Sequence, residues 1–235
     1  MATQQAGSEE RGLPALVCVH GLSGSGRWWS GVAPHVSEGG PVVLLDLPRS
    51  LTPSQLPEWV VGRLEGLEPP VDLVGYSLGG LLAARVAALR PDLVRRLVLI
   101  APPGIRPRGS IVPYLRPLVG TVVRSRPVLL RRLLADALRA GPRNIARGGR
   151  HVSTADVRAE LPSVVAPTLL VWGARDAVVP PSEGPIWREA LGQAWLVILP
   201  GAGHVPMIDS PGELAAVIVA FRDKPLDELG DVLGV

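Results

Sequence analysis

A serine between glycines is the feature of this sequence with the most direct chemical meaning. Residues 75–79 read Gly-Tyr-Ser-Leu-Gly, after an apolar run and before a segment rich in Ala and Leu. In a strand-to-helix turn, the G-x-S-x-G spacing holds the serine hydroxyl clear of the backbone in a strained conformation, and this needs small neighbours. The pattern predicts Ser77 as a nucleophile. From these five residues alone, an ordinary glycine-rich turn is the alternative.

Two more polar residues follow later apolar runs, in an order that suits a serine nucleophile. Asp176 ends the sequence Trp-Gly-Ala-Arg-Asp, and His204 ends Pro-Gly-Ala-Gly-His. A histidine can take the proton of a serine hydroxyl, while a carboxylate fixes the imidazole tautomer and supports its charge. We therefore predict Ser77, His204 and Asp176 as nucleophile, base and acid. Because the base must be deprotonated, activity should rise toward neutral or mildly alkaline pH.

A loop after the first apolar run could stabilise the negative charge that acyl transfer creates. His20-Gly21 closes that run, and a Gly- and Ser-rich loop follows. A backbone N–H of this loop and that of Leu78 would supply the two donors of an oxyanion hole. We interpret His20 as a packing residue and Asp46, which ends the second run, as a structural turn acid. His35 and His151 have no evident partner and are interpreted as solvated.

These residues must be positioned by the elements around them, and the apolar runs indicate a sheet. Six short, uniformly apolar runs suit parallel strands that are covered on both faces. They lie at 15–20, 41–48, 71–76, 95–104, 166–173 and 194–201. Predicted helices fall between or after them, at 27–36, 54–67, 81–90, 127–140, 183–191 and 211–222. This alternation predicts an α/β fold with a doubly wound, mostly parallel sheet of about six strands.

One long segment interrupts the alternation before the penultimate strand and contains Pro-punctuated helices. We predict it to be a helical lid over the carboxyl ends of the strands, where open α/β folds bind ligands. The predicted organisation is a flexible tail at 1–14, a core at 15–104 and 164–222, the lid at 105–163 and a C-terminal tail at 223–235. The apolar lid residues predicted to line an acyl pocket are Ile111, Tyr114, Leu115, Leu118 and Leu129.

The lid segment carries most of the positive charge of the chain. Between Ile105 and Ser163 there are twelve Arg and three acidic residues, a net charge of +9, against +3 for the whole chain. One hypothesis is that these arginines grip an anionic substrate, such as an acidic ester or a carrier-bound thioester. The other is that they form the solvated faces of helices, since the chain uses Arg in preference to Lys throughout.

Composition excludes several other classes of protein. The longest uncharged stretch is broken by Pro and Gly, so we expect no membrane span, and the N-terminus lacks the features of a secretion signal. The single cysteine, Cys18, lies in an apolar run and fits a buried core residue in a reducing cytoplasm. With four His and one Cys, no ligand spacing for a metal is present, and no cofactor motif appears. We expect a small acyl substrate, no nucleic-acid partner and a cytoplasmic location.

Taken together, the motifs resemble the α/β-hydrolase superfamily, in particular its small lid-bearing esterases, thioesterases and C–C-bond hydrolases. The pattern HG, G-x-S-x-G-G, G-x-x-D and G-H is met in order at 20–21, 75–80, 173–176 and 203–204. The resemblance spans roughly 15–222. It implies that Ser77, Asp176 and His204 form a catalytic triad, and that the backbone amides of Leu22 and Leu78 form the oxyanion hole.

Two departures from the family pattern limit what the resemblance implies. Too few residues precede Ala15 for the usual β-hairpin, so we expect either a shortened sheet or an edge strand from the tail. Asp46-Leu47-Pro48-Arg49-Ser50 replaces the usual glycine-rich turn, and this weakens inference about the substrate. The leading hypothesis is a carboxylic-ester hydrolase. Thioesterase or C–C hydrolase chemistry on the same triad is an alternative, as is a ligand-sensing relative with slow turnover.

Overall fold

Six parallel strands form one sheet in the computed structural model, which describes residues 13–110, 112–114, 117 and 127–234. The strands are β1 (Leu16–Val19), β2 (Val42–Leu45), β3 (Val71–Tyr76), β4 (Val94–Ile100), β5 (Thr168–Gly173) and β6 (Ala194–Leu199). Their order across the sheet is β2-β1-β3-β4-β5-β6, and every neighbouring pair is parallel. The predicted strands and the predicted fold class are confirmed. An edge strand from the tail would fall on residues 1–12, which lie outside the described residues.

Nine α-helices accompany the sheet among the described residues. They are α1 (Ala33–Val36), α2 (Leu56–Glu65), α3 (Leu78–Leu89), α4 (Pro127–Ala140), α5 (Pro142–Thr154), α6 (Gly184–Ala190), α7 (Pro206–Asp209), α8 (Pro211–Asp223) and α9 (Leu229–Leu233). The predicted helix at 27–36 is a 3₁₀-helix (Gly26–Gly31) followed by α1, because Pro34 and the tryptophans before it leave only one α-helical turn.

Side chains of alternate strand residues enter two separate hydrophobic cores, one on each face of the sheet. In β1, Val17 and Val19 belong to the core shared with α2, α3 and α6, whereas Leu16 and Cys18 belong to the core shared with α1, α8 and α9. This follows from the two-residue period of a strand. Because both faces are covered, most strand residues are apolar rather than alternating, and charged residues in the six strands are confined to Asp72 of β3 and to Arg95 and Arg96 of β4.

The helices α4 and α5 lie in the segment between β4 and β5, hereafter the insert (residues 105–163). Val157 and Leu161 near its end are fully buried against the core that contains α3. Tyr114 is buried in the same core. Of the other predicted pocket residues, Ile111, Leu115 and Leu118 lie outside the described residues, as does the side chain of Leu129.

Residues near both ends of the described chain contact the core, through hydrogen bonds of Arg222 and through the packing of Leu229. Arg222, which is 1% exposed, donates to Asp72 Oδ2 (2.8 Å) and to the carbonyl oxygens of Val36 and Pro14. Beyond the predicted core boundary at residue 222, α9 places Leu229 in the hydrophobic core beside α8. With only five residues, this helix carries almost no periodic pattern in the sequence. None of the described helices has the length and apolarity to cross a membrane.

Candidate active site

Ser77 occupies a strained turn between β3 and α3. Its backbone has φ 52° and ψ −118°, a conformation that L-residues rarely adopt, and its N–H donates to the carbonyl oxygen of Ile100. The glycines around it are needed for space. A methyl group on Gly75 would overlap the carbonyl oxygen of Gly79, and one on Gly79 would overlap that of Val19. The G-x-S-x-G spacing is therefore explained by close backbone packing around the turn.

Ser77, His204 and Asp176 form one hydrogen-bonded chain at the carboxyl ends of the strands. His204 Nε2 lies 3.3 Å from Ser77 Oγ, and His204 Nδ1 lies 2.8 Å from Asp176 Oδ2. An ionised carboxylate can only accept, so the imidazole proton lies on Nδ1 and Nε2 is left to accept from the serine hydroxyl. The other carboxylate oxygen, Asp176 Oδ1, accepts the backbone N–H groups of Val178 (2.8 Å) and Val179 (2.9 Å). These bonds fix the acid.

The loops that carry Asp176 and His204 meet through a second pair of glycines. A methyl group on Gly173, the last residue of β5, would overlap the carbonyl oxygens of Ala202 and Gly203. Neighbouring β5 and β6 end side by side, so this close approach brings the residues after them into contact. Gly173 of the predicted G-x-x-D motif thus has a packing function in the site.

The two predicted oxyanion residues lie on the wall of one cleft. Leu78 is the first residue of α3, where the backbone N–H has no partner within the helix. Neither this N–H nor that of Leu22 donates to another residue in the described part of the chain. Both residues line an open cleft. Gly21 also lines it and is adjacent to Ser77, since a methyl group there would lie 3.2 Å from Ser77 Cβ.

Two aromatic rings, Tyr76 and Trp28, form a row of tilted contacts from the imidazole of His204 toward the insert. The Tyr76 and His204 ring centres are 5.4 Å apart, and those of Trp28 and Tyr76 are 5.9 Å apart. Burial, with the charges of Asp176 and Asp209, raises the pKa of Tyr76 well above its usual value, so the phenol is neutral. The Trp28 indole N–H donates to Asp136 Oδ2 at 2.7 Å. The sequence gives no sign of these contacts, although Asp136 is one of three acidic residues in the insert.

Asp136 anchors α4 to the loop that follows β1. Its carboxylate is 6% exposed and also lies 3.3 Å from Ser25 Oγ and 3.2 Å from Arg139 Nη1. A buried carboxylate needs such partners to offset the loss of water. The contact holds the insert against the site.

The other histidines and Asp46 lie outside the hydrogen-bonded chain. His20 is buried and accepts the Leu47 N–H at Nε2 (3.0 Å), so its Nδ1 donates to the carbonyl oxygen of Gly21 (2.8 Å). Burial lowers its pKa, and the ring is neutral. Asp46 accepts the Gly26 N–H at 2.6 Å. His35 is exposed, whereas His151 lies 3.0 Å from Arg85 Nη1, a partner 66 residues away that spacing could not indicate.

The lone cysteine has no chemical access to the site. Cys18 is 2% exposed on β1, and burial raises its pKa to about 12. Its thiol is therefore a small packing group in the core, as the sequence indicated.

The fold and the motif order together decide the family. A family model described as the alpha/beta hydrolase family matches residues 16–217. The chain belongs to the α/β hydrolase family.

Relatives of this α/β hydrolase include named esterases. It is 27% identical over 249 residues to a pimeloyl-[acyl-carrier protein] methyl ester esterase of Neisseria meningitidis serogroup B, covering 92% of this chain and 95% of that one. It is 28% identical to the protein of the same name from Nitrosomonas europaea, covering 88% and 95%. The enol-lactonase of Burkholderia xenovorans LB400 shares the fold, with a TM-score of 0.77, 21% identity and coverage of 90% and 92%.

Proposed function

We propose that this α/β hydrolase is a serine esterase that cleaves a carboxylic ester through an acyl-enzyme intermediate on Ser77. The observation that carries the proposal is the continuous hydrogen-bonded chain from Ser77 through His204 to Asp176. A half-buried serine on a strained turn, a base with a defined tautomer and a carboxylate held by two backbone amides are the parts that nucleophilic acyl transfer requires.

In the first half of the proposed reaction, Ser77 Oγ forms a bond to the acyl carbon of the substrate. The serine proton moves to His204 Nε2, and the electron pair of the carbonyl double bond moves to the carbonyl oxygen. Asp176 supports the imidazolium that results. The developing oxyanion accepts hydrogen bonds from the backbone N–H groups of Leu22 and Leu78. Preorganised donors of this kind contribute about 3–4 kcal/mol each to lowering the barrier.

In the second half, the tetrahedral intermediate breaks its bond to the alcohol oxygen. His204 returns the proton to that oxygen, so the alcohol leaves and the acyl group remains on Ser77. A water molecule then adds to the acyl carbon while His204 takes one of its protons. Collapse of this second intermediate releases the carboxylic acid and returns the proton to Ser77.

The names of the relatives favour the ester among the bond types that such residues cleave. The two curated relatives are named for the methyl ester of pimeloyl-[acyl-carrier protein], and this chain aligns with almost their whole length. We therefore propose an ester of a small alcohol as the bond cleaved, ahead of thioester or C–C bond cleavage by the same three residues.

We also propose that the insert is a lid over the site. Three residues of α5 support this assignment, since Asn144, Arg147 and Gly148 line the same cleft as Leu22 and Leu78. A methyl group on Gly148 would overlap the Leu22 side chain, so α5 packs closely over the loop after β1.

Turnover of simple substrates tests the proposed activity. Purified protein and the Ser77→Ala variant are compared on p-nitrophenyl acetate, p-nitrophenyl butyrate and the thioester of the same acyl group. We expect ester turnover that depends on Ser77 and exceeds thioester turnover at matched acyl length. Turnover of every ester at the rate of Ser77→Ala would support a ligand-sensing protein. Faster thioester cleavage would favour a thioesterase.

A further inference from the structure

The cleft beside Leu22 and Leu78 is lined by both apolar side chains and arginines. Its apolar wall comes from Leu22 and Leu78 and from the loop between β2 and α2, where Leu47, Leu51 and Leu56 line it. These side chains are suited to a hydrocarbon chain. An acyl group whose carbonyl oxygen faces the Leu22 and Leu78 amides would therefore extend over leucines.

Two arginines and an asparagine also line the cleft, and they come from both the core and the insert. Arg49 comes from the loop after β2, while Asn144 and Arg147 come from α5. Arg49 Nη1 donates to the carbonyl oxygen of Arg139, which leaves its other N–H groups available. Arg147 is exposed and has no hydrogen bond or ion pair with any other described residue. Two guanidinium groups in a cleft that also has apolar side chains match a hydrocarbon chain that ends in an anionic group.

The negative charges near the cleft are already engaged elsewhere. Among the described residues that line the cleft, none is acidic. Asp46 accepts the Gly26 backbone N–H, and Asp136 is bound by Trp28 and Arg139. The two arginines of the cleft thus lack an internal carboxylate partner within the described chain, unlike Arg108, which pairs with Glu183 at 3.1 Å.

We infer that this cleft selects acyl groups whose far end carries an anion, a carboxylate or a phosphate, which Arg49 and Arg147 bind. The inference rests on the proposed ester hydrolysis and names its substrate class. Esters of this class include the half-esters of dicarboxylic acids, in which one carboxyl group is esterified and the other is free. The other arginines of the insert with described side chains do not line the cleft; Arg131 is exposed, and Arg108 is paired with Glu183.

Matched pairs of substrates test this selectivity. Monomethyl esters of C4 to C10 α,ω-dicarboxylic acids are compared with the dimethyl esters of the same acids, which differ only in the charge at the far end. A third series carries a terminal phosphate in place of the carboxylate. We expect kcat/KM to favour an anionic series by about tenfold through KM, since charge-assisted contacts at an exposed site are modest. Preference for one of the two anionic series would show whether the group bound at the far end is a carboxylate or a phosphate. The preference should shrink as salt rises to about 0.5 M.

Substitutions locate the selectivity within the cleft. Arg49→Gln and Arg147→Gln should each raise KM for the anionic ester about three- to tenfold and leave the neutral diester unchanged. Arg147→Lys should retain part of the preference, because the charge remains but the forked geometry is lost. Arg131→Gln is the matched control, since it removes the same charge from the neighbouring helix α4 outside the cleft, and it should change neither substrate.

The outcomes separate this inference from the proposed function. If Ser77-dependent hydrolysis treats charged and neutral esters alike, the inference is overturned and the esterase proposal stands. Equal losses in Arg131→Gln and Arg147→Gln would also overturn it, because the effect would then be a general field of positive charge. Absence of Ser77-dependent turnover on every ester would overturn both proposals.

Discussion

The imidazole of His204 and the carboxylate of Asp176 face each other at 2.8 Å, with both side chains almost completely buried. One carboxylate oxygen, Oδ2, meets the ring, and the other accepts two backbone amides. The acid is therefore held in place independently of the base. Because the two oxygens have different partners, a substitution can change the contact with His204 and keep the contacts with the backbone amides.

Asp176→Asn should lower kcat by about 10⁴ while the protein stays folded. The amide oxygen can still accept the N–H groups of Val178 and Val179, but the NH₂ group then faces His204 Nδ1 and enforces the wrong tautomer. Steady-state kinetics and a thermal melt check the two halves of this prediction. Activity close to that of the parent would mean that another residue is the acid, and Asp46 would be examined first.

Gly75, two residues before Ser77, should not tolerate even a methyl group. Gly75→Ala places a methyl group against the Gly79 carbonyl and must shift the turn that presents Ser77, so both esterase activity and stability should fall sharply. Gly62→Ala is the control, because Gly62 lies in α2 with open space around it. That change should stabilise the protein by up to about 1 kcal/mol. A fully active Gly75→Ala enzyme would contradict the packing explanation of the motif.

The contact between Trp28 and Asp136 should contribute measurably to stability. Asp136→Ala leaves the buried indole N–H without its acceptor and should cost about 1–3 kcal/mol in urea unfolding. Asp136→Asn keeps an acceptor oxygen and should cost less. Asp156→Asn, which loosens an exposed ion pair with Arg158 in the same insert, serves as the control and should have no measurable effect. Equal effects at positions 136 and 156 would argue against anchoring by Asp136.

Stability should fall in mild acid partly because of His151. Burial, and then the charge of Arg85, lowers its pKa from the usual value of 6.5. A histidine with a depressed pKa in the folded state adds stability above the unfolded pKa, and that stability is lost as pH falls toward the folded pKa. The free energy of unfolding should therefore decline below about pH 6.5. His151→Gln should decline less steeply between pH 7 and 5, and an unchanged slope would contradict this.

Much of the fold could be predicted from the sequence because its determinants are local. Each strand is a short apolar run of its own, and β3 was predicted with its observed bounds. The glycines at 75, 79 and 173 are visible as motifs, since each one permits a backbone approach that any side chain would block.

Contacts between distant residues could not be predicted in the same way. The pairs Trp28–Asp136 and Arg85–His151 each join the core to the insert across more than 60 residues, and neither partner has a distinctive neighbourhood in the sequence. The cleft likewise depends on how α5 packs over the loop that carries Arg49. From composition alone, the arginines of the insert could be identified only as a group, and Arg147 could not be singled out as a residue that lines the cleft.

Covalent labelling of Ser77 is the most direct test of the central claim. A fluorophosphonate probe reacts with a serine only where a base and an oxyanion site activate it. The parent protein should be labelled at a single site, located at Ser77 by peptide mass spectrometry, and Ser77→Ala should lose the label while its thermal melt is retained. Labelling of a folded Ser77→Ala variant at the rate of the parent would contradict the account.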